Sequence, residues 1–183
     1  MLVDFLLGNA RRRLSSGQRL IITGPNGCGK TTWLKHLSCG HSDLSIQLDG
    51  RQIQQWDSLW LQQQATLWHE YGLYDNLTVQ DNIALMGCCP ADTGHLAQWP
   101  HASQYVRHLS AGQKQRVCLQ RVLTANRPLW LLDEPDAHLD EQTVAWWQQE
   151  MKLHQSSGGV IILSTHRQHG ANAVDSSSMV VSL

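Results

Sequence analysis

No apolar run in this sequence approaches the ~20 residues that cross a bilayer, and its apolar opening is interrupted by Asp4. In that opening, MLVDFLLGNARRRL, the arginines follow the apolar part, the reverse of a secretory signal. An excess of either charge is also missing. Lys and Arg number 14 against 15 Asp and Glu, a formal net charge of -1 over 183 residues. That balance gives no electrostatic case for nucleic acid. The local triplet Arg11, Arg12 and Arg13 reads as a solvated face or a strand edge. Regularly spaced cysteines are lacking too. Five are present (Cys28, Cys39, Cys88, Cys89 and Cys118), with neither CxxC nor CxxCH among them. The odd number and irregular spacing argue against a disulfide framework, a zinc site or covalently attached haem. Most of the ten histidines are scattered singly among polar residues and read as surface groups. The expectation is a soluble subunit in a reducing cytoplasm that reaches any membrane through a partner.

What is present is an alternation of strands and helices within a length that suits one domain, residues 1–183. Leu20 to Thr23 (LIIT) predicts a short strand, followed by a glycine-rich turn and a helix from Lys30 to about Ser38. Ser45 to Gly50 alternates and predicts a strand ending in a turn, and Ala65 to His69 predicts another. Thr78 with Asp81 has the pattern of a capping box before the helix VQDNIALM. Residues 87–108 are irregular, with room for one or two short helices. Ser110 caps a helix running to about Asn126. LWLLDEP and VIILST are continuous apolar runs, as strands covered on both faces require. Between them, Asp140 caps a long helix that Gly158 and Gly159 stop. Its Trp146 and Trp147 are expected to pack on the sheet. MVVSL is a candidate last strand. The fold class is therefore α/β.

GPNGCGKTT (Gly24, Pro25, Asn26, Gly27, Cys28, Gly29, Lys30, Thr31 and Thr32) matches the phosphate-loop pattern GxxxxGK[ST]. Glycine lets backbone N–H groups approach phosphate oxygens closely. The helix that follows points its positive end at the same anion. Lys30 is the cation for the β- and γ-phosphates, and the Thr31 hydroxyl is a ligand for Mg²⁺. LWLLDEP ends in Asp133, placed to hold Mg²⁺ through water, and Glu134, placed to orient or deprotonate an attacking water. Either acid, read alone, is equally a strand-end turn residue. Together the motifs make a P-loop NTPase that uses a nucleoside triphosphate and Mg²⁺.

LSAGQ (Leu109, Ser110, Ala111, Gly112 and Gln113), LLDEP downstream, and STH (Ser164 to His166) after the next strand narrow the class. With the phosphate loop they make the chain resemble the ATP-binding cassette ATPases from about Arg13 to Gln168. That resemblance implies a mostly parallel core sheet, N-terminal antiparallel strands, and a short helical subdomain inserted at about 74–126. It implies a head-to-tail dimer with a second copy of the chain, each ATP held between one phosphate loop and the partner's signature. Ser110 and Gly112 then face the γ-phosphate of the partner's ATP. His166 matches the switch histidine that contacts the γ-phosphate and helps position Glu134. Asp140 matches the aspartate through which the two sites communicate, and is equally suited to capping its helix. Gln113 closes the signature.

The chain departs from the family pattern at identifiable points. Ala111 replaces the first glycine of the signature. Glu70, in LWHEYGLYDNLT, stands where a glutamine is usual. It is still a candidate Mg²⁺ ligand, at the cost of one more negative charge beside the triphosphate. The family stacks adenine on an aromatic residue well upstream of the phosphate loop. Phe5, the only phenylalanine, is not assigned that role, which leaves loose base recognition or a start further upstream. LSAGQKQRV, RPLWLLDEP and GGVIILSTH together are similar to the ATP-binding subunits of the haem exporter system of bacterial cytochrome c maturation. That likeness implies a peripheral protein on the cytoplasmic face of the inner membrane, bound to integral membrane transporter subunits. ATP hydrolysis there is linked to release of a haem-loaded chaperone, with no haem site on this chain. The alternatives are a subunit of another small exporter or importer, a soluble cassette ATPase, and a degenerate module that holds ATP with little hydrolysis.

Overall fold

The computed structural model describes residues 1–85, 101–165 and 177–183. Two sheets organise them. The N-terminal sheet is antiparallel, in the order β2 (Ala10–Ser15), β1 (Leu2–Leu7), β4 (Gln47–Leu48), β5 (Arg51–Gln52). The core sheet is parallel, in the order β6 (Gln64–Leu67), β7 (Leu129–Asp133), β8 (Val160–Ser164), β3 (Arg19–Thr23), β9 (Ser178–Ser182). The expected α/β class and the division into antiparallel and parallel sheets both hold.

The continuous apolar strands are explained by burial on two sides. Leu20, Ile22, Leu129, Leu131, Val160 and Ile162 face a core shared with Leu34 and Leu37 of α1 (Lys30–Cys39) and with Val3, Phe5 and Leu7 of β1. Their neighbours Ile21, Trp130, Leu132, Ile161 and Leu163 face the opposite core. There they meet Leu119 and Val122 of α4 (Ala111–Ala125) and Trp147 and Met151 of α5 (Glu141–Ser156). Trp147 stacks on Trp130 at 5.4 Å between ring centroids, as expected for a tryptophan packed on the sheet, while Trp146 is only partly buried. A smaller core joins Val79 and Ile83 of α3 (Val79–Ala84) to Val106, Leu109 and Val117.

Local readings are refined by backbone geometry. Ser45 and Asp49 both have positive φ, and Gly50 follows at φ 84°. The alternating stretch from Ser45 to Gly50 therefore shortens to β4, which turns through Asp-Gly into β5. The helix α2 (Ser58–Gln62), capped by Asp57, was not foreseen. Asp4 is buried because Arg13 pairs with it across β1 and β2, Nε to Oδ1 at 2.8 Å. Arg11, Arg12 and Arg13 lie on β2, at the edge of its sheet, as one of the readings proposed. The Thr78–Asp81 capping box forms.

Candidate functional site

The site assembles at the C-terminal ends of the core strands, where open parallel sheets bind ligands. β3 leads into the phosphate loop and α1 leaves it. Gly24, Gly27 and Gly29 have φ of 148°, 80° and 99°, values that strain a residue carrying a Cβ. At Gly24 a Cβ would also meet Cys28 Sγ and the Leu183 carbonyl oxygen, each at 2.8 Å. Lys30 is buried, and its ammonium donates to the carbonyls of Gly24 at 2.8 Å and Pro25 at 3.0 Å.

The other half of the site comes from β7 and β8. The Thr31 hydroxyl donates to Asp133 Oδ2 at 2.7 Å, across 102 residues of sequence. The Ser164 hydroxyl donates to Asp133 Oδ1 at 2.6 Å. The Glu134 amide donates to both the hydroxyl and the carbonyl of Ser164, each at 3.2 Å. Glu134 has φ 49°, a left-handed conformation that costs a non-glycine residue about 1–2 kcal/mol. These hydrogen bonds hold the turn in that conformation. The two oxygens expected to serve Mg²⁺ converge, and hard oxygen donors suit that ion.

An open cleft of about 490 Å³ lies over these groups. It is lined by Asn26, Gly27, Gly29, Lys30, Thr31 and Thr32 of the loop and helix, by Lys35 one turn further on, and by Glu134. His69 and Glu70, just past β6, line it as well. Glu70 is thus at the cleft, where its expected role requires it. Lys35 and His69 were not singled out from the sequence. The cleft suits an anionic ligand bearing several phosphates.

The signature residues lie elsewhere. Among the described residues that line the cleft, none comes from the stretch Leu109–Gln113. Leu109 is buried and Ser110 and Ala111 are exposed. Ser110 and Gln113 cap α4 reciprocally: the Gln113 amide donates to Ser110 Oγ, and the Ser110 amide donates to Gln113 Oε1. Gln113 is therefore structural in its own chain. Gly112 is required by close approach, since a Cβ there would meet the His138 carbonyl oxygen at 2.7 Å. Asp140 accepts from the Thr143 amide at 2.7 Å, which holds its carboxyl below the usual range. It is the cap its sequence position suggested. His166 lies outside the described residues.

Sequence reasoning missed the polar groups that join these parts. Gln115, buried on α4, donates to the Pro135 carbonyl at 2.9 Å and the Glu134 carbonyl at 3.4 Å. Arg121 of α4 donates to the Gly72 carbonyl at 2.9 Å, and the Tyr71 hydroxyl donates to the Ala111 carbonyl at 3.2 Å. Cys118 beside them is buried, and burial pushes its thiol up to about 11. It is a packing residue and no nucleophile.

Comparison with known proteins agrees with this geometry. The ABC transporter family model matches residues 7–137. The cytochrome c biogenesis ATP-binding export protein CcmA of Ruegeria pomeroyi is 35% identical over 167 residues, 87% of this chain and 77% of its own length. The protein of the same name from Pseudomonas fluorescens is 32% identical over 172 residues, covering 88% and 82%. Among solved structures, an ATP-binding cassette in a dimeric post-hydrolysis state bound to ADP and Pi superposes with a TM-score of 0.80. That match has 21% identity and covers 99% of this chain and 94% of the other. The chain belongs to the ABC transporter family and is one of its ATP-binding subunits.

Proposed function

We propose that this chain hydrolyses ATP as the motor subunit of a membrane transporter complex, and that the complex is the haem exporter of cytochrome c maturation. The observation that carries the hydrolytic reading is the convergence of Thr31, Asp133 and Glu134 beneath a glycine-rich loop and beside an open cleft. The pathway rests on the printed names of the relatives, which are cytochrome c biogenesis export proteins.

In this reading the loop amides and Lys30 hold the β- and γ-phosphates. Lys30 exchanges the Gly24 and Pro25 carbonyls for phosphate oxygens. Thr31, and Asp133 through water, would hold Mg²⁺, which when bound would supply positive charge to the phosphate oxygens. Glu134 accepts the proton of the attacking water as its oxygen bonds to the γ-phosphorus and the bond to the bridging oxygen breaks. Glu70 borders the same cleft, as a further candidate ligand for Mg²⁺ that adds negative charge beside the triphosphate. The signature, Leu109 to Gln113, serves the ATP of a second copy, because it stands outside its own chain's cleft. His166 completes the γ-phosphate contacts, and Asp140 links the two sites. The helical subdomain of this reading spans about 74–126, and its stretch between Thr78 and Leu109 is the part that docks on integral membrane subunits. The chain itself sits on the cytoplasmic side of the inner membrane, and no helix among the described residues is long and apolar enough to cross it.

Affinity purification of the tagged chain from host membranes in mild detergent tests the assignment. Recovery of cytochrome c maturation membrane subunits is expected. An unrelated permease would keep the ATPase and overturn the haem assignment.

A further inference from the structure

We infer that Ser164 is a positioning residue for the hydrolysis proposed above, on which this inference rests, and that its one hydroxyl sets both acids of the site. Ser164 is fully buried at the end of β8, paired in register with Asp133 at the end of β7. A hydroxyl has one hydrogen to give and two lone pairs. Here the hydrogen goes to Asp133 Oδ1 at 2.6 Å, and a lone pair takes the Glu134 amide at 3.2 Å.

Each bond has a separate consequence. With Oδ1 committed to Ser164, the Asp133 carboxylate is turned so that Oδ2 faces Thr31, which lines the cleft. One oxygen, at a fixed angle, is then presented to a cation, and the other is withheld. The second bond, with the parallel one to the Ser164 carbonyl, fixes the amide of Glu134 in a left-handed turn. That turn directs the chain after β7 so that Glu134 borders the cleft. The Asp133 carboxylate cannot turn away without leaving the Ser164 hydrogen unmatched inside the core, and the Glu134 backbone cannot shift without giving up its bond to the same oxygen.

The consequence is a metal-site partner one layer back from the ion, a class of group whose loss costs about 10- to 100-fold in metal affinity or activity. Ser164→Ala removes the hydroxyl, Ser164→Cys keeps a side chain of similar shape with a weak donor, and Ser164→Thr keeps the hydroxyl. The readouts are Mn²⁺ affinity in the presence of ATP by electron paramagnetic resonance, kcat and KM for ATP hydrolysis, and the melting temperature. Expected for Ala and Cys is a fall of about tenfold or more in both Mn²⁺ affinity and kcat, with KM little changed. Thr is expected to stay near wild type. If the Ala variant does not fold, the Cys variant decides. Wild-type Mn²⁺ affinity and kcat in a folded Ala or Cys variant would overturn the role of Ser164 alone. A wild-type chain that hydrolyses no ATP in its complex would overturn the functional reading and this inference with it.

Discussion

The Lys30 ammonium rests on the carbonyls of its own loop. A phosphate must displace them, and it gains the stronger, charge-assisted bond in return. Replacing Lys30 with alanine is expected to weaken binding of a fluorescent ATP analogue by about 10- to 100-fold, the range of a lost hydrogen bond to a charged group. A second single-residue test concerns His154. Its ring stacks on Trp130 at 3.8 Å, and burial lowers its pKa from 6.5, against backbone hydrogen bonds at Pro128 and Val160 that raise it. As pH falls below 6.5, the unfolded chain takes the proton first, so native stability declines there and levels off below the depressed folded value. The urea midpoint should drop as pH falls through 6.5 toward the depressed folded value, and His154→Gln should flatten that part of the dependence. An equal slope in both proteins would contradict this account of the ring. Gly112 offers a steric test. Alanine there meets the His138 carbonyl oxygen, and overpacking of this kind costs about 1–3 kcal/mol in urea unfolding.

At the scale of elements, α4 is the connector. Its start carries the signature, its Gln115 grips the turn after β7, and its Arg121 grips the segment after β6. Gln115→Ala leaves the Pro135 carbonyl without that partner in a buried setting, at a cost of about 1–3 kcal/mol. Thermal melting should register the loss, and an unchanged melting temperature would mean that α4 is not fastened there. Elements differ in how far the sequence reveals them. The strands β3, β7 and β8 are legible because a fully covered strand must be apolar at every position. The Thr78–Asp81 capping box is legible because its atoms lie three residues apart, whereas at Ser110 the sequence showed the cap and not its reciprocal bond to Gln113. β4 and β5 are not, since their length is set by positive φ at Ser45 and Asp49. α2 is too short to display a period. Ser164 and Gln115 stood inside quoted motifs, yet their hydrogen bonds cross 31 and 20 residues. Only the folded sheet brings those partners together.

At the scale of the whole molecule, the proposed function makes the phosphate loop, Asp133 and Glu134 one half-site and the signature at the start of α4 another. Under that proposal a second copy completes either. Glu134→Gln with ATP and Mg²⁺ is expected to run as a dimer by light scattering, and adding Lys30→Ala should return it to a monomer. The measurement that bears most directly on the central claim is ATP hydrolysis by the detergent-solubilised complex recovered on the tagged chain, with wild type compared to Glu134→Gln. The expected result is turnover in the wild-type complex that falls by about 100-fold or more in the variant, the scale of a lost general base. Turnover that survives the substitution, or a wild-type complex that does not hydrolyse ATP, would contradict it.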